Sequence, residues 1–402
     1  MQGGWSGPSV ALSSVRGDTG IDRAVRSERY SKRLHKWRLV LMSVEVEEVP
    51  GRWPVEKANA WYDALPWLVG CNYIPASAVN QLEMWQSDTF DLETMAGELD
   101  WAERLGFNTL RVFLHDLLWK QDAEGLWQRM DRFLDLCRKR SMRILFVFFD
   151  SCHRPDPRIG MQPPCVREYH NSGWVQSPSE DLLLRYHNGT AGDGEKKRLK
   201  GYVQETLRRF STDERVLAWE LFNEPGQDGK GDAAAALLLD AWKWAREANP
   251  SQPVCSTAEG SVGQLNIDIA RVNSDMVSFH CYDDAKLETI IRAYEETGRP
   301  VLCTEYMSRP SSTFAGALPV LLKHRAAAYN WGFVSGKTGT IWPWSLREGK
   351  DVYQLRKEES HVVQPHEPFP EPDVWFHDIY RIDGTPFSES EIALVRKITG
   401  MS

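Results

Sequence analysis

The 402-residue chain is 42% hydrophobic and 26% charged, an ordinary globular composition with enough apolar mass for a full core. A net charge of -8 argues against nucleic acid as the main partner, because phosphate binding needs a basic surface. No stretch approaches the roughly 20 apolar residues of a membrane span, so no membrane partner is expected.

Residues 1–41 are rich in Ser, Gly and Arg and show no periodicity. They are expected to form a disordered extension ahead of one domain over 42–402. The apolar piece Trp37–Val44 holds Arg38 and lacks a small-residue cleavage site, so it is a poor signal peptide. The seven cysteines show no metal-site spacing, and Cys255, Cys281 and Cys303 sit in apolar runs as small buried hydrophobes. A reducing, cytoplasmic setting suits them.

From residue 60 a short apolar run alternates with an amphipathic stretch. Trp67–Ile74 is the first predicted strand, followed by a helix over Leu92–Leu105 capped by Asp91. Strand two is Thr109–Leu114, helix two Leu126–Lys139. Strand three, Arg143–Phe149, is nearly all apolar, as a strand buried on both faces should be. A long irregular region from Asp150 to about Glu195 follows, and loops of that length inside a domain are usually functional or disordered. Helix three is Lys196–Phe210, strand four Val216–Phe222, helix four Ala233–Ala248. Strand five, Val254–Thr257, leads to a weaker helix over Gln264–Arg271. Strand six is Met276–His280, helix six Leu287–Glu296, strand seven Val301–Glu305. Helix seven is predicted over Leu318–Tyr329 and strand eight over Gly339–Trp344. An insertion, Arg347–Asp373, precedes a last helix over Glu389–Ile398.

Alternating βα units imply a parallel sheet with helices outside, and eight of them predict a closed α/β (β/α)8 barrel with long loops after strands 1, 3 and 8. An open doubly wound sheet is the rival, but its Gly-rich first turn is missing.

Catalytic groups of such a barrel sit at the C-terminal strand ends. Strand two there carries Arg111 and His115, strand three Asp150 with His153 beyond. Strand four ends in Asn223-Glu224-Pro225, strand six in His280-Cys281-Tyr282. Strand seven ends in Glu305, the predicted strand eight in Trp342-Pro343-Trp344. A ring of titratable and aromatic residues at five or more strand ends is hard to explain structurally, since a barrel core tolerates none unpaired. Two carboxylates across the mouth suit glycosidic cleavage, which needs an acid for the leaving oxygen and, in a retaining enzyme, a nucleophile for the anomeric carbon. The acid needs a raised pKa. The nucleophile needs a cation and donors, for which Arg111 and Tyr282 are placed. Seventeen tryptophans add flat faces of the kind that stack on sugar rings.

These residues resemble the clan A glycoside hydrolases, most closely the family 5 or cellulase-like group, over strands one to eight. Asn-Glu-Pro alone is weak; joined to a second Glu about 80 residues on, in the right strand order, it is strong. The resemblance implies a retaining β-glycoside hydrolase acting on β-linked oligo- or polysaccharides without metal or cofactor, with Glu224 as acid/base and Glu305 as nucleophile. It also implies that Asn223 bonds the sugar 2-hydroxyl, that His280 contacts substrate or acid/base, and that Trp342 floors the subsite. The usual His after strand three has three candidates here: Asp150, His153 and His115. The loop after strand one, with Asn80, Gln81, Glu83 and Trp85, is expected to rim the site, as is the loop after strand three, with Arg167, Tyr169, His170, Trp174 and Tyr186. Closed over the mouth, they would favour a pocket over an open cleft. Trp375–Asp378 and Asp383–Pro386 read as structural. The alternatives are a non-catalytic carbohydrate-binding barrel, which the intact glutamates count against, and a lyase or aldolase, which would want a strand-end Lys or a phosphate-binding Gly motif. Asn188-Gly189-Thr190 fits a glycosylation sequon by chance.

Overall fold

The computed structural model describes residues 46, 48–364 and 367–401, so the expected extension over 1–41 lies outside the described residues. In chain order the strands are β1 (Val69–Asn72), β2 (Thr109–Phe113), β3 (Arg143–Asp150), β4 (Val216–Asn223), β5 (Val254–Cys255), β6 (Thr257–Glu259), β7 (Val277–His280), β8 (Val301–Tyr306) and β9 (Ala327–Asn330). All pairings are parallel, in the order β5-β4-β3-β2-β1-β9-β8-β7-β6. The β5 and β6 segments are one barrel strand interrupted at Ser256, so the ring closes as a (β/α)8 barrel.

Strand β3 shows how the pattern builds two cores. Successive side chains point to opposite faces. Ile144, Phe146 and Phe148 join the layer between sheet and helices, where Phe146 and Phe148 stack on either side of the register neighbour Trp219 at 5.6 and 5.3 Å. Leu145 and Val147 point into the barrel, where they meet Ala218, Cys255, Leu302, Ala327 and Tyr329. Within it, Thr109 Oγ1 and Tyr329 Oη share a hydrogen bond of 3.0 Å. The polar residues lie above it, toward the C-terminal strand ends.

The helices are α1 (Val55–Asp63), α2 (Gln81–Trp85), α3 (Leu92–Arg104), α4 (Asp116–Arg138), α5 (Glu180–His187), α6 (Asp193–Arg209), α7 (Ala235–Ala248), α8 (Gln264–Asn273), α9 (Asp284–Glu295), α10 (Phe314–Lys323), α11 (Val352–Leu355) and α12 (Glu389–Thr399). Asp91 caps α3 through Thr94 N, 3.0 Å, as its position predicts. The region expected to be irregular up to Glu195 contains α5, capped by Ser179.

One element is displaced from its expected place. The eighth barrel strand is β9, and the predicted strand Gly339–Trp344 is loop up to Pro343, with Trp344 opening a 3-10 turn, Trp344–Arg347. Ala326-Ala327-Ala328 has the composition of helix, so local propensity extends the preceding helix through it. The chain instead leaves α10 and takes a left-handed turn at Arg325, φ 50°, whose guanidinium bonds the carbonyls of Tyr62 and Leu65. Hydrogen bonding of β9 to β1 on one side and to β8 on the other then overrides propensity, with small alanines suiting the crowded slot.

The loops after β1, β3 and β9 are tied to one another. Asn80 Nδ2 donates to Gly173 O and Gln81 Nε2 to Val175 O. Val166 bridges Val362, Arg167 pairs with Glu367, and Lys337 bonds both Ala76 O and Glu83. The described chain has no helix long and apolar enough to cross a membrane.

Candidate active site

Arg111 organises the barrel mouth. It sits on β2, fully buried, and uses all three guanidinium nitrogens. Nε and Nη2 grip Glu220 of β4 bidentately at 2.8 and 2.7 Å. Nη2 also donates to Asn223 Oδ1 at 2.6 Å, and Nη1 to Asn72 Oδ1 and Glu305 Oε1 at 2.7 Å each. The two carboxylates hold the guanidinium pKa above its usual range although burial pulls the other way. Such planar fork geometry is specific to arginine.

Glu305, on β8, is 5% exposed. Its second oxygen accepts from Tyr282 Oη at 2.6 Å. Burial raises its pKa, against the pull of His280 and Arg111. Glu224 follows the last residue of β4 in a left-handed conformation, φ 43°, a strain of the kind held at functional sites. Its Oε1 lies 2.6 Å from His280 Nδ1, and its Oε2 accepts from the Cys152 thiol at 3.1 Å. Burial raises the Glu224 pKa to about 7 and lowers that of His280 to about 4. Both shifts disfavour an ion pair, so below about pH 7 the acid form of Glu224 predominates beside a neutral His280. Gly260, φ 111°, leaves room for this pair: a Cβ there would lie 3.0 Å from both contacting atoms.

Asp150, at the end of β3, orients the neighbouring amide. It accepts from Asn223 Nδ2 at 2.9 Å and from Trp174 Nε1 at 2.6 Å, and burial lifts its pKa to about 6. Asn223 is thereby fixed at both ends, its Nδ2 also facing Cys152 Sγ at 3.7 Å. Tyr282 packs edge-on against Trp344, 4.9 Å between centroids, and near His377, 5.7 Å.

The structure thus brings together Arg111, Asp150, Asn223, Glu224, His280, Tyr282, Glu305 and Trp174. It keeps two expected residues, Trp85 and His115, away from the mouth, and it places Trp342 in a loop and not on a barrel strand. Trp85 is fully buried between Phe90 and Phe133, its indole donating to Phe113 O, so it packs the core. His115 caps α4 by accepting from Leu117 N at Nδ1, and its Nε2 bonds Gln176 O at 2.9 Å, so it pins the long loop. Trp342 lies in the loop beyond β9 and offers its carbonyl to His170 Nδ1. Trp331, directly after β9, stands where the strand-eight tryptophan was expected. Among the rim residues, Tyr186 on α5 bonds Asp240 of α7, on the outer helical layer.

Four participants escaped the sequence reading: Glu220, Asn72, Cys152 and Trp331. Glu220 had a signal, since an acidic residue inside the apolar strand Val216–Phe222 demands a buried cation. Cys152 had none.

Glu224, His280 and Glu305 offer three ligand atoms within 4.8 Å of one another, a spacing a cation accepts. Glu305 already accepts a hydrogen bond at each oxygen, from Arg111 and from Tyr282.

No protein-family model and no curated protein matches the sequence. Among solved structures, the chain is similar in fold to an exo-β-1,4-mannosidase from Opitutaceae bacterium strain TAV5, with TM-score 0.54 and 18% identity, covering 83% of this chain and 60% of that one. It is similar to the protein GH5_18 from Streptomyces cattleya, solved with GlcNAc, with TM-score 0.52 and 12% identity, covering 83% and 79%. It is also similar to a glycoside hydrolase family 5 mannosidase from Rhizomucor miehei, with TM-score 0.50 and 14% identity, covering 84% and 94%. At these identities the likeness establishes the barrel.

Proposed function

We propose that the protein is a retaining β-glycoside hydrolase, with Glu305 as nucleophile and Glu224 as acid/base. The observation that carries this is the pair itself: carboxylate oxygens within 4.8 Å of each other, in opposite surroundings. Retaining enzymes hold their carboxyls roughly 5–5.5 Å apart, whereas inverting enzymes leave about 6.5–9.5 Å for a water. Glu305 faces a cation and a phenol; Glu224 faces a neutral imidazole and a thiol.

In the first step Glu305 attacks the anomeric carbon while the Glu224 proton passes to the departing glycosidic oxygen. In the second, Glu224, now a carboxylate, takes a proton from water as the water oxygen displaces Glu305 from that carbon. Arg111 and Tyr282 stabilise the charge that returns to Glu305. Asn223 would meet the 2-hydroxyl with the Nδ2 proton that now faces Cys152. Since two of the similar folds belong to mannosidases, β-mannosides head the substrate panel, followed by β-glucosides and β-xylosides.

The test is sugar release from this panel, with the anomer followed by proton NMR. First-formed β-sugar is expected. First-formed α-sugar would remove the double-displacement mechanism, and binding without release from any substrate would move the protein to the non-catalytic reading.

A second expectation concerns pH. Glu224 is active as its acid form, so kcat/KM should fall as pH rises through about 7. The Cys152 thiol stabilises the Glu224 carboxylate and so lowers its pKa. Cys152→Ala should therefore shift the alkaline limb to higher pH. A limb that stays in place, or moves down, removes the thiol from the acid's surroundings.

A further inference from the structure

A cavity beside Asn72 takes no part in the two-carboxylate chemistry. It measures about 20 Å³ and lies between the ends of β1, β2 and β9. That volume holds one water-sized group and no ring. Asn171 and Asp378 both line it, 2% and 1% exposed; Asn171 Oδ1 receives no hydrogen bond among the described residues, and Asp378 Oδ1 has no side-chain donor, only the Phe333 backbone N–H helping that carboxylate. Their side-chain partners are at the other atoms: Asp378 Oδ2 accepts from Thr340 Oγ1 at 2.6 Å, and Asn171 Nδ2 faces His153 Nε2 at 3.2 Å. A buried acceptor left short of donors is destabilising, so two around one small cavity point to a donor ligand. Gly332 keeps the approach clear, since a Cβ there would stand 2.5 Å from Asp378 Oδ1.

The walls define the ligand further. Trp174 and Trp331 stand 5.6 Å apart at 66°, giving apolar faces next to the polar recess. Behind it, Tyr73, Phe333 and Val334 are buried and close the end. Asn72 connects this recess to Glu305 through Arg111. Trp174, also in its wall, donates to Asp150 beside Asn223, so the recess adjoins the residues that would surround the reacting sugar.

We infer that this recess receives one hydroxyl group of a terminal sugar residue seated against Trp174 and Trp331, so that the enzyme removes single sugars from non-reducing ends. This rests on the glycoside hydrolase reading above. A chain continuing past that sugar would need an outlet at a wall made of buried aromatic and aliphatic side chains. A hydroxyl is the donor that fits, because it brings one proton and the volume of one water.

The test uses wild-type protein and the sugar that the panel identifies. Oligosaccharides of two to six units, labelled at the reducing end, are digested beside the aryl β-glycoside of one unit. Monosaccharide release with stepwise shortening of the labelled chain is expected, together with turnover of the aryl glycoside. Internal cleavage of the longer chains overturns this inference alone; no turnover even of the aryl glycoside overturns the hydrolase reading with it. Mono-deoxy aryl glycosides then locate the hydroxyl. One of them should lose about 10- to 100-fold in kcat/KM with wild type. Its penalty should largely vanish in Asn171→Ala, measured against the parent glycoside in the same variant. An equal penalty in both proteins overturns the assignment of the recess.

Discussion

Glu305→Ala is expected to abolish hydrolysis, with kcat lower by about 10⁴-fold or more, the scale on which removal of a nucleophile acts. Glu224→Ala should cost less, about 10²- to 10⁴-fold, and least for aryl glycosides whose leaving group needs no proton. Azide should then restore much of the Glu224→Ala rate by attacking the glycosyl intermediate without a general base, yielding a β-glycosyl azide. Stability should move the other way. Burial raises the pKa of Glu305, so its ionised form opposes folding at neutral pH. Glu305→Gln is therefore expected to melt at the wild-type temperature or above it while remaining inactive. The same linkage applies to Glu224, whose pKa rises from 4.5 to about 7. Its folded state binds more protons than the unfolded chain between those values, so its contribution to stability declines as pH rises through that window. An active Glu305→Ala enzyme would sink the assignment.

Arg111→Met is expected to be the most destabilising substitution at the site. Glu220 and Glu305 would both lose their cation in a region where Arg111 and Glu220 side chains are fully buried. Breaking a buried pair from one side costs about 3–5 kcal/mol, because an uncompensated charge stays behind. Arg111→Lys keeps a charge but not the fork to Glu220, Asn223, Asn72 and Glu305, and should lie between. Urea denaturation reads the stability. The double variant Arg111→Met/Glu220→Leu separates stability from function: it should recover most of the lost stability and none of the activity, since Glu305 still lacks its partner. A single Arg111→Met variant with wild-type midpoint and rate would show that the cluster neither holds the mouth together nor serves the nucleophile.

Strand ends were legible because barrel strands are short and buried on both faces, which makes a polar residue at their end conspicuous. Asn223-Glu224 after Leu221-Phe222 is such a case, and so is Glu305 after Val301-Leu302-Cys303. Aromatic residues were not legible in the same way. Trp85 and Trp174 both sit in stretches rich in polar residues, yet one ends α2 and fills the core and the other hydrogen-bonds Asp150 at the mouth. Nothing local separates them, because an indole packs equally well on leucines or beside a sugar site. Trp342 and Trp331 were exchanged for a different reason: the alanines of β9 carry helical propensity, and only pairing with β1 and β8 overrules it.

The order of βα units, and with it the barrel and the two opposed glutamates, was determined by the sequence alone, through the spacing of apolar runs and the polar residues that end them. The tertiary structure alone decided what surrounds those glutamates. Glu220 meets Arg111 across 109 positions, and Cys152 meets Glu224 across 72. The small recess at Asn171 and Asp378 exists only where loops more than 200 residues apart are brought together. Periodicity specifies which face of an element is buried; which partner it is buried against depends on closure of the ring, and the pKa values of the site follow from that closure.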